Sequence, residues 1–278
     1  MKIAFHKYHG TGNDFILIDN RQVKHVLSKS LISLMCDRHF GIGADGLILL
    51  TDAPGFDFGM VYFNSDGNES TMCGNGGRCI TAFASALGII GESAHFLAMD
   101  GEHRSFISKN TNGTTQVRLQ MKDVTSVRSI DGNFFLDTGS PHYVVFSHEV
   151  EDLDVLQEGK KLRNSEMFAP HGTNVNFVEK RGDRLFIRTF ERGVENETLS
   201  CGTGVTAASI ASVYNSAENS GFVEVTTPGG DLCVSFNRDR VAFTDVWLEG
   251  PTVCVFEGEW KRGRGDEGRG TRDEGRSK

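Results

Sequence analysis

The sequence has no Cys-x-x-Cys pair, no apolar run long enough to cross a membrane and no excess of basic residues. Each absence excludes a class. Six cysteines, at 36, 73, 79, 201, 233 and 254, without paired spacing argue against a zinc ribbon or a thioredoxin-type redox motif, so no metal is expected. At 278 residues the chain is too large to need disulfide staples. Met1-Lys2-Ile3-Ala4-Phe5 runs straight into polar sequence, which predicts neither a signal peptide nor a membrane partner and places the protein in the cytoplasm with reduced thiols. The formal charge of −8 becomes about −11 (−8 − 3) without the segment Lys261 to Lys278, which holds seven Lys/Arg against four Asp/Glu, so the body should repel nucleic acid.

With 38% hydrophobic and 24% charged residues, a sizeable core and a folded enzyme are expected. Phe15 to Asp19, Leu47 to Leu50 and Phe58 to Phe63 read as strands, and Ser30 to Cys36 as a short helix. From Arg78 to Leu87, Ile80, Phe83, Ala84 and Leu87 fall at helical spacing, and Gly88 supplies a stop. Beyond residue 95 the pattern is mainly β, until Val205 to Val213 forms a helix of small residues on every side, which predicts burial. Residues 261–278 carry no apolar side chain and are expected to form a disordered tail.

Two loop-to-helix junctions resemble each other. Cys73-Gly74-Asn75-Gly76 and Cys201-Gly202-Thr203-Gly204 each follow a polar loop and open an alanine-bearing helix, 201 − 73 = 128 residues apart. That spacing is close to half the folded chain, so an internal duplication is expected, with two similar halves facing each other. A thiol at a helix start meets unpaired backbone N–H groups and the positive end of the helix dipole, which should lower its pKa. The glycines leave room for a substrate carboxylate to reach the same N–H groups. With both sulfurs aimed at one cleft, a thiolate can take a proton from one face of a carbon while a thiol returns one to the opposite face. Cys36, Cys79, Cys233 and Cys254 lie in apolar patterns and read as core residues.

The motifs His9-Gly10-Thr11-Gly12-Asn13-Asp14-Phe15, Phe63-Asn64-Ser65-Asp66-Gly67, Met72-Cys73-Gly74-Asn75-Gly76-Gly77-Arg78-Cys79, Gly172-Thr173-Asn174-Val175-Asn176-Phe177 and Glu191-Arg192-Gly193, leading to Ser200-Cys201-Gly202-Thr203-Gly204, resemble the diaminopimelate epimerase family from residue 5 to about 260. The resemblance implies a cofactor-independent enzyme that interconverts LL- and meso-diaminopimelate for lysine and peptidoglycan precursor synthesis. It implies Cys73 and Cys201 as the catalytic pair, Asn13, Asn64, Asn174, Glu191 and Arg192 as substrate contacts, and Gly74, Asn75, Gly202 and Thr203 as a backbone cradle for carboxylate. It also implies an α/β (α+β) fold of two pseudo-symmetric halves, each a mostly antiparallel sheet curled around a central helix, and a homodimer.

The halves are expected as 1–112 plus 251–260 around Cys73 and 113–250 around Cys201. Three positions depart from the family pattern. Gly46 stands where many members carry glutamine, Ser140 precedes Pro141-His142 where asparagine is usual, and the loop from Arg192 to Cys201 is one residue longer. His142 takes a family position beside the site. Two rival readings are a proline racemase-like isomerase, disfavoured by Asn75 and Ser200, and a non-catalytic ligand-binding or thiol redox protein. A redox sensor would not need an amide and arginine shell around both sulfurs.

Overall fold

The computed structural model describes residues 2–109, 114–216 and 220–261, so residues 262–278 of the expected tail and the proposed boundary at Asn112-Gly113 lie outside the described residues. Two series of elements follow one another. The first is β1 (Lys2–Gly10), β2 (Asn13–Asp19), α1 (Lys29–Cys36), β3 (Gly46–Thr51), β4 (Phe58–Asn64), β5 (Glu69–Ser70), α2 (Gly74–Ala86), β6 (Ser93–Ala98), β7 (Gly101–Lys109) and β8 (Thr115–Gln120). After β9 (Val127–Ile130) comes the second: β10 (Asn133–Asp137), β11 (Pro141–Phe146), α3 (Val155–Arg163), β12 (Asn174–Arg181), β13 (Arg184–Glu191), β14 (Asn196–Thr198), α4 (Gly202–Val213), β15 (Ser220–Thr227), β16 (Gly230–Asp239) and β17 (Ala242–Lys261).

The pairings repeat strand for strand. β1–β2 and β10–β11 are antiparallel, β2–β3 and β11–β12 parallel, and β3–β4 and β12–β13 antiparallel. β4–β6 and β13–β15 are parallel, and the hairpins β6–β7–β8 and β15–β16–β17 are antiparallel. Each half is thus a mostly antiparallel sheet curled around one central helix, α2 or α4. The duplication read from two cysteines is written through the whole sheet.

β3 is a continuous apolar run because both of its faces are covered. Ile48 and Leu50 pack with Ile80 and Phe83 of α2, whereas Leu47 and Leu49 pack with Leu31, Ile32 and Met35 of α1. β12 does the same, with Val175 and Phe177 joining Val155 of α3 and Val178 joining the core around α4. β17 ties the halves together: it pairs with β16 and β8 as far as Thr252 and with β1 from Val253 to Lys261. β8 pairs with β7, and a Cβ on Gly77 of α2 would stand 2.8 Å from Leu119, so β8 packs with the first central helix.

Local sequence misplaces several features. Both central helices start earlier than their apolar spacing indicates, at Gly74 and Gly202, because burial at the junction overrides the poor helix propensity of glycine. α3 was hidden by Gly159, which is there because any Cβ would stand 2.3 Å from Phe190. The core reading holds for Cys36 and Cys79, but Cys233 is half-buried and Cys254 is exposed, on the stretch of β17 that pairs with β1. No helix among the described residues is long and apolar enough to cross a membrane.

Candidate active site

Cys73 and Cys201 are the N-caps of α2 and α4, both with extended backbone and neither with a side-chain cap bond. The helix ends meet glycine to glycine: a methyl group on Gly74 would stand 3.7 Å from Gly202 Cα, and one on Gly202 3.5 Å from Gly74 Cα. The two thiols therefore sit at adjoining positive helix ends, each over a glycine three places on, with a Cβ on Gly76 only 3.7 Å from Cys73 Cβ and one on Gly204 only 3.4 Å from Cys201 Cβ.

The expectation of lowered thiol pKa values is corrected by burial. Burial pushes the Cys73 thiol up, outweighing the N–H groups of Gly76 and Asn75, and the Glu191 carboxylate adds to the rise. Burial also pushes Cys201 up, with Glu191 again acting in the same direction and the Thr203 hydroxyl and Gly204 N–H acting against it. Glu191 itself is raised by burial and by Asp45. Burial therefore favours the thiol over the thiolate at both sulfurs.

Each thiol ends a hydrogen-bonded chain. Cys73 Sγ donates to Asn13 Oδ1 at 3.6 Å, and Asn13 Nδ2 donates to Asp45 Oδ2 at 2.7 Å. Asp45 also accepts from Arg38, which pairs with Asp14, and Asp14 pairs with the buried Lys7. On the other side, Asn176 Nδ2 lies 3.1 Å from His142 Nδ1, so that nitrogen is the acceptor and Nε2 carries the proton toward Ser140 Oγ, 3.0 Å away. Ser140 Oγ is 3.4 Å from Thr203 Oγ1, which is 3.4 Å from Cys201 Sγ. His142 is fully buried, and burial pushes its pKa down to about 3, so it is neutral in this chain.

The remaining nominated residues lie at one end of each half-sheet. Asn13 begins β2 and Asn64 ends β4; Asn174 begins β12 and Glu191 ends β13. Gly46 pairs with Asn64, and Asn174, by continuation of the Val175–Phe190 register, faces Glu191, so the two halves present equivalent strand ends. Asn174 is buried, giving Nδ2 to Ser140 Oγ and the Pro141 carbonyl and receiving the Arg192 backbone N–H on Oδ1 at 2.9 Å. Among the described residues the Arg192 guanidinium has one weak bond, 3.4 Å to the His171 carbonyl, which leaves most of its donors available. Gly46 has no space for a side chain, since a Cβ would stand 2.5 Å from the Tyr62 ring. Sequence reading missed Asp45 and Arg78, whose only signal was a charged residue within an otherwise buried stretch.

Among the described residues no group of three or more His, Cys, Asp or Glu is arranged to hold a metal ion. The fold is that of a phenazine biosynthesis protein of the PhzF family from Bacillus anthracis, at TM-score 0.73 and 16% identity over 94% of this chain and 100% of that one. A probable proline racemase from Agrobacterium radiobacter K84 shares it at TM-score 0.71 and 16% identity, over 94% and 93% of the two chains. These define the fold class, a duplicated α+β fold with two central helices. Residues 5–127 and 134–252 match the diaminopimelate epimerase family, to which the chain belongs. It is 51% identical to the diaminopimelate epimerase of Flavobacterium psychrophilum over 92% of this chain and 99% of that protein.

Proposed function

We propose that the chain interconverts LL- and meso-diaminopimelate, in lysine and peptidoglycan precursor synthesis, with Cys73 and Cys201 as the two bases. The observation that carries this reading is the meeting of the two helix starts capped by Cys73 and Cys201, glycine to glycine at Gly74 and Gly202. The α-carboxylate would lie on the N–H groups of Gly74, Asn75, Gly202 and Thr203, where two helix dipoles converge. One sulfur, as thiolate, removes the α-proton; the other, as thiol, delivers its own proton to the opposite face. The carbon is inverted, the base ends as thiol and the acid as thiolate, and the roles reverse in the other direction.

Burial serves the chemistry. An α-proton is weakly acidic, and a thiolate whose pKa is raised by a dry site is a stronger base for it. The developing negative charge on the substrate carboxylate is met by preorganised N–H donors rather than by an electron sink. Arg192, with its free guanidinium donors, and the amides of Asn13, Asn64 and Asn174, with Glu191, are assigned to the distal ammonium–carboxylate centre, which needs a cation of fixed shape and several polar partners. No cofactor is assigned a role.

The protein is assigned to the cytoplasm as a homodimer. Beyond Thr252, β17 pairs among the described residues only with β1, and Val255 and Phe256 on that stretch are exposed, an edge that a second copy would cover. The decisive experiment is incubation of reduced protein with LL-diaminopimelate in heavy water. Deuterium at the α-carbon together with meso product is expected; no incorporation sinks the epimerase reading, and exchange of proline instead supports the racemase reading.

A further inference from the structure

Arg78 belongs to α2, is wholly buried and has no carboxylate within ion-pair distance among the described residues. Its head group folds back under the start of its own helix. Nη2 donates to Asn75 Oδ1 at 3.0 Å and reaches Thr11 Oγ1 at 3.5 Å, Nη1 reaches the Gly74 carbonyl at 3.5 Å, and Nε has no hydrogen-bond partner among the described residues. Two glycines keep it room: a Cβ on Gly10 would stand 3.1 Å from Nη2, and one on Gly250 would stand 3.4 Å from Nε.

A guanidinium only donates, so the Asn75 atom facing it is oxygen and the Asn75 amide nitrogen must point the other way. There Nδ2 donates to Asn13 Oδ1 at 3.2 Å, the atom that receives the Cys73 thiol, and to the carbonyl of Ser200 at 3.0 Å, the residue before Cys201. One amide, oriented by one buried cation, thus touches the partner of the first thiol and the backbone of the second.

The duplication supplies an internal control. The position equivalent to Arg78, 128 residues on, is Thr206, whose hydroxyl bonds the Gly202 carbonyl at 2.9 Å. A threonine therefore meets the backbone need at this place in the helix, and an unpaired buried cation is a costly way to meet it. The charge and the forked donor are present for another reason.

We propose that Arg78 is a positioning residue of the thiol pair: it fixes the orientation of the Asn75 amide, which registers Cys73 against Cys201 across the two halves, and it places a permanent positive charge beneath the site where thiolate forms. This rests on the reading of Cys73 and Cys201 as the two bases. The titratable groups facing Cys73 are then Arg78 and Cys79 on its own helix, Glu191 from β13, Tyr62 from β4 and Cys201 from α4. Arg78 is the cation among them.

The test uses the full chain and the variants Arg78→Met and Arg78→Lys. Three quantities are read: kcat and KM with LL-diaminopimelate, the pH profile of iodoacetamide alkylation at Cys73 and Cys201 resolved by peptide mass, and the melting temperature. Arg78→Met is expected to melt no lower than the parent, to lose on the order of 100-fold in kcat with KM changed much less, and to shift alkylation of both thiols to higher pH. Arg78→Lys, which keeps charge but not the fork, should restore the alkylation profile more fully than kcat. Parental kcat and an unshifted alkylation profile in a folded Arg78→Met overturn the proposal. If that variant does not fold, Arg78→Lys decides: parental kcat overturns, and lost kcat with a near-parental profile supports. Should the parent fail to turn over diaminopimelate, the functional reading falls, and the alkylation profiles still judge the role of Arg78 on the thiols.

Discussion

Gly74 and Gly202 lie back to back at the starts of the two central helices, so close that the Cβ of an alanine at Gly202 would stand 3.5 Å from Gly74 Cα and 2.8 Å from Leu248 Cδ2. At the Gly74 position the nearest atom, again of Leu248, is 3.3 Å away. This contact sets the separation of the two helix starts that Cys73 and Cys201 cap. Gly202→Ala should cost about 1–3 kcal/mol of stability through overpacking and reduce kcat by more than Gly74→Ala does. Denaturant melts and steady-state kinetics on both variants check this; equal kcat for the two would contradict it.

Inversion needs a group on each face. Cys73→Ala and Cys201→Ala should each fold and each lose epimerisation by at least about 100-fold, the usual contribution of a general acid or base. Circular dichroism with a coupled assay for meso product reads both points, and substantial turnover by either variant rules out the two-base mechanism.

Burial holds His142 near 3 against an ordinary 6.5. The unfolded chain therefore takes up a proton more readily than the folded one, so the stability from this group is complete above pH 6.5 and is lost as pH falls toward 3. Asp14 acts in the same direction lower on the scale: although burial opposes it, bonds from Arg38 and Lys7 hold its carboxyl well below the usual range, so its contribution is present above about 3.8 and lost as pH falls below. His142→Gln should melt lower at pH 7 yet lose less between pH 6.5 and 4.5 than the parent, by roughly 2–4 °C for each kcal/mol removed. Parallel pH slopes would show that His142 does not carry the effect.

Arg192→Lys keeps the charge and loses the planar fork. It should raise KM for diaminopimelate by about 10-fold or more, the worth of a charge-assisted bond, with a smaller change in kcat. A KM equal to that of the parent would remove Arg192 from distal recognition.

The site was legible where it depends on local chemistry. A thiol ahead of Gly-x-Gly at a helix start is visible in any sequence, and its recurrence 128 residues later implied the duplicated fold. The hidden parts depend on contacts between halves. α3 carries Gly159, a poor helix former placed there by the bulk of Phe190, and the helical spacing of Ile80, Phe83, Ala84 and Leu87 says nothing of Arg78, whose burial depends on Gly10 and Gly250 from other strands.

What the sequence determined by itself was the repeat, the two thiols and the polar motifs around them, since these follow from residue type and spacing along the chain. Only the tertiary structure decided the ionisation of those thiols and what links them. Helix ends alone would lower both pKa values, but burial and Glu191 raise them. Solvation and long-range charge depend on the whole fold, as does the bond from Asn75 to Ser200, 125 residues away.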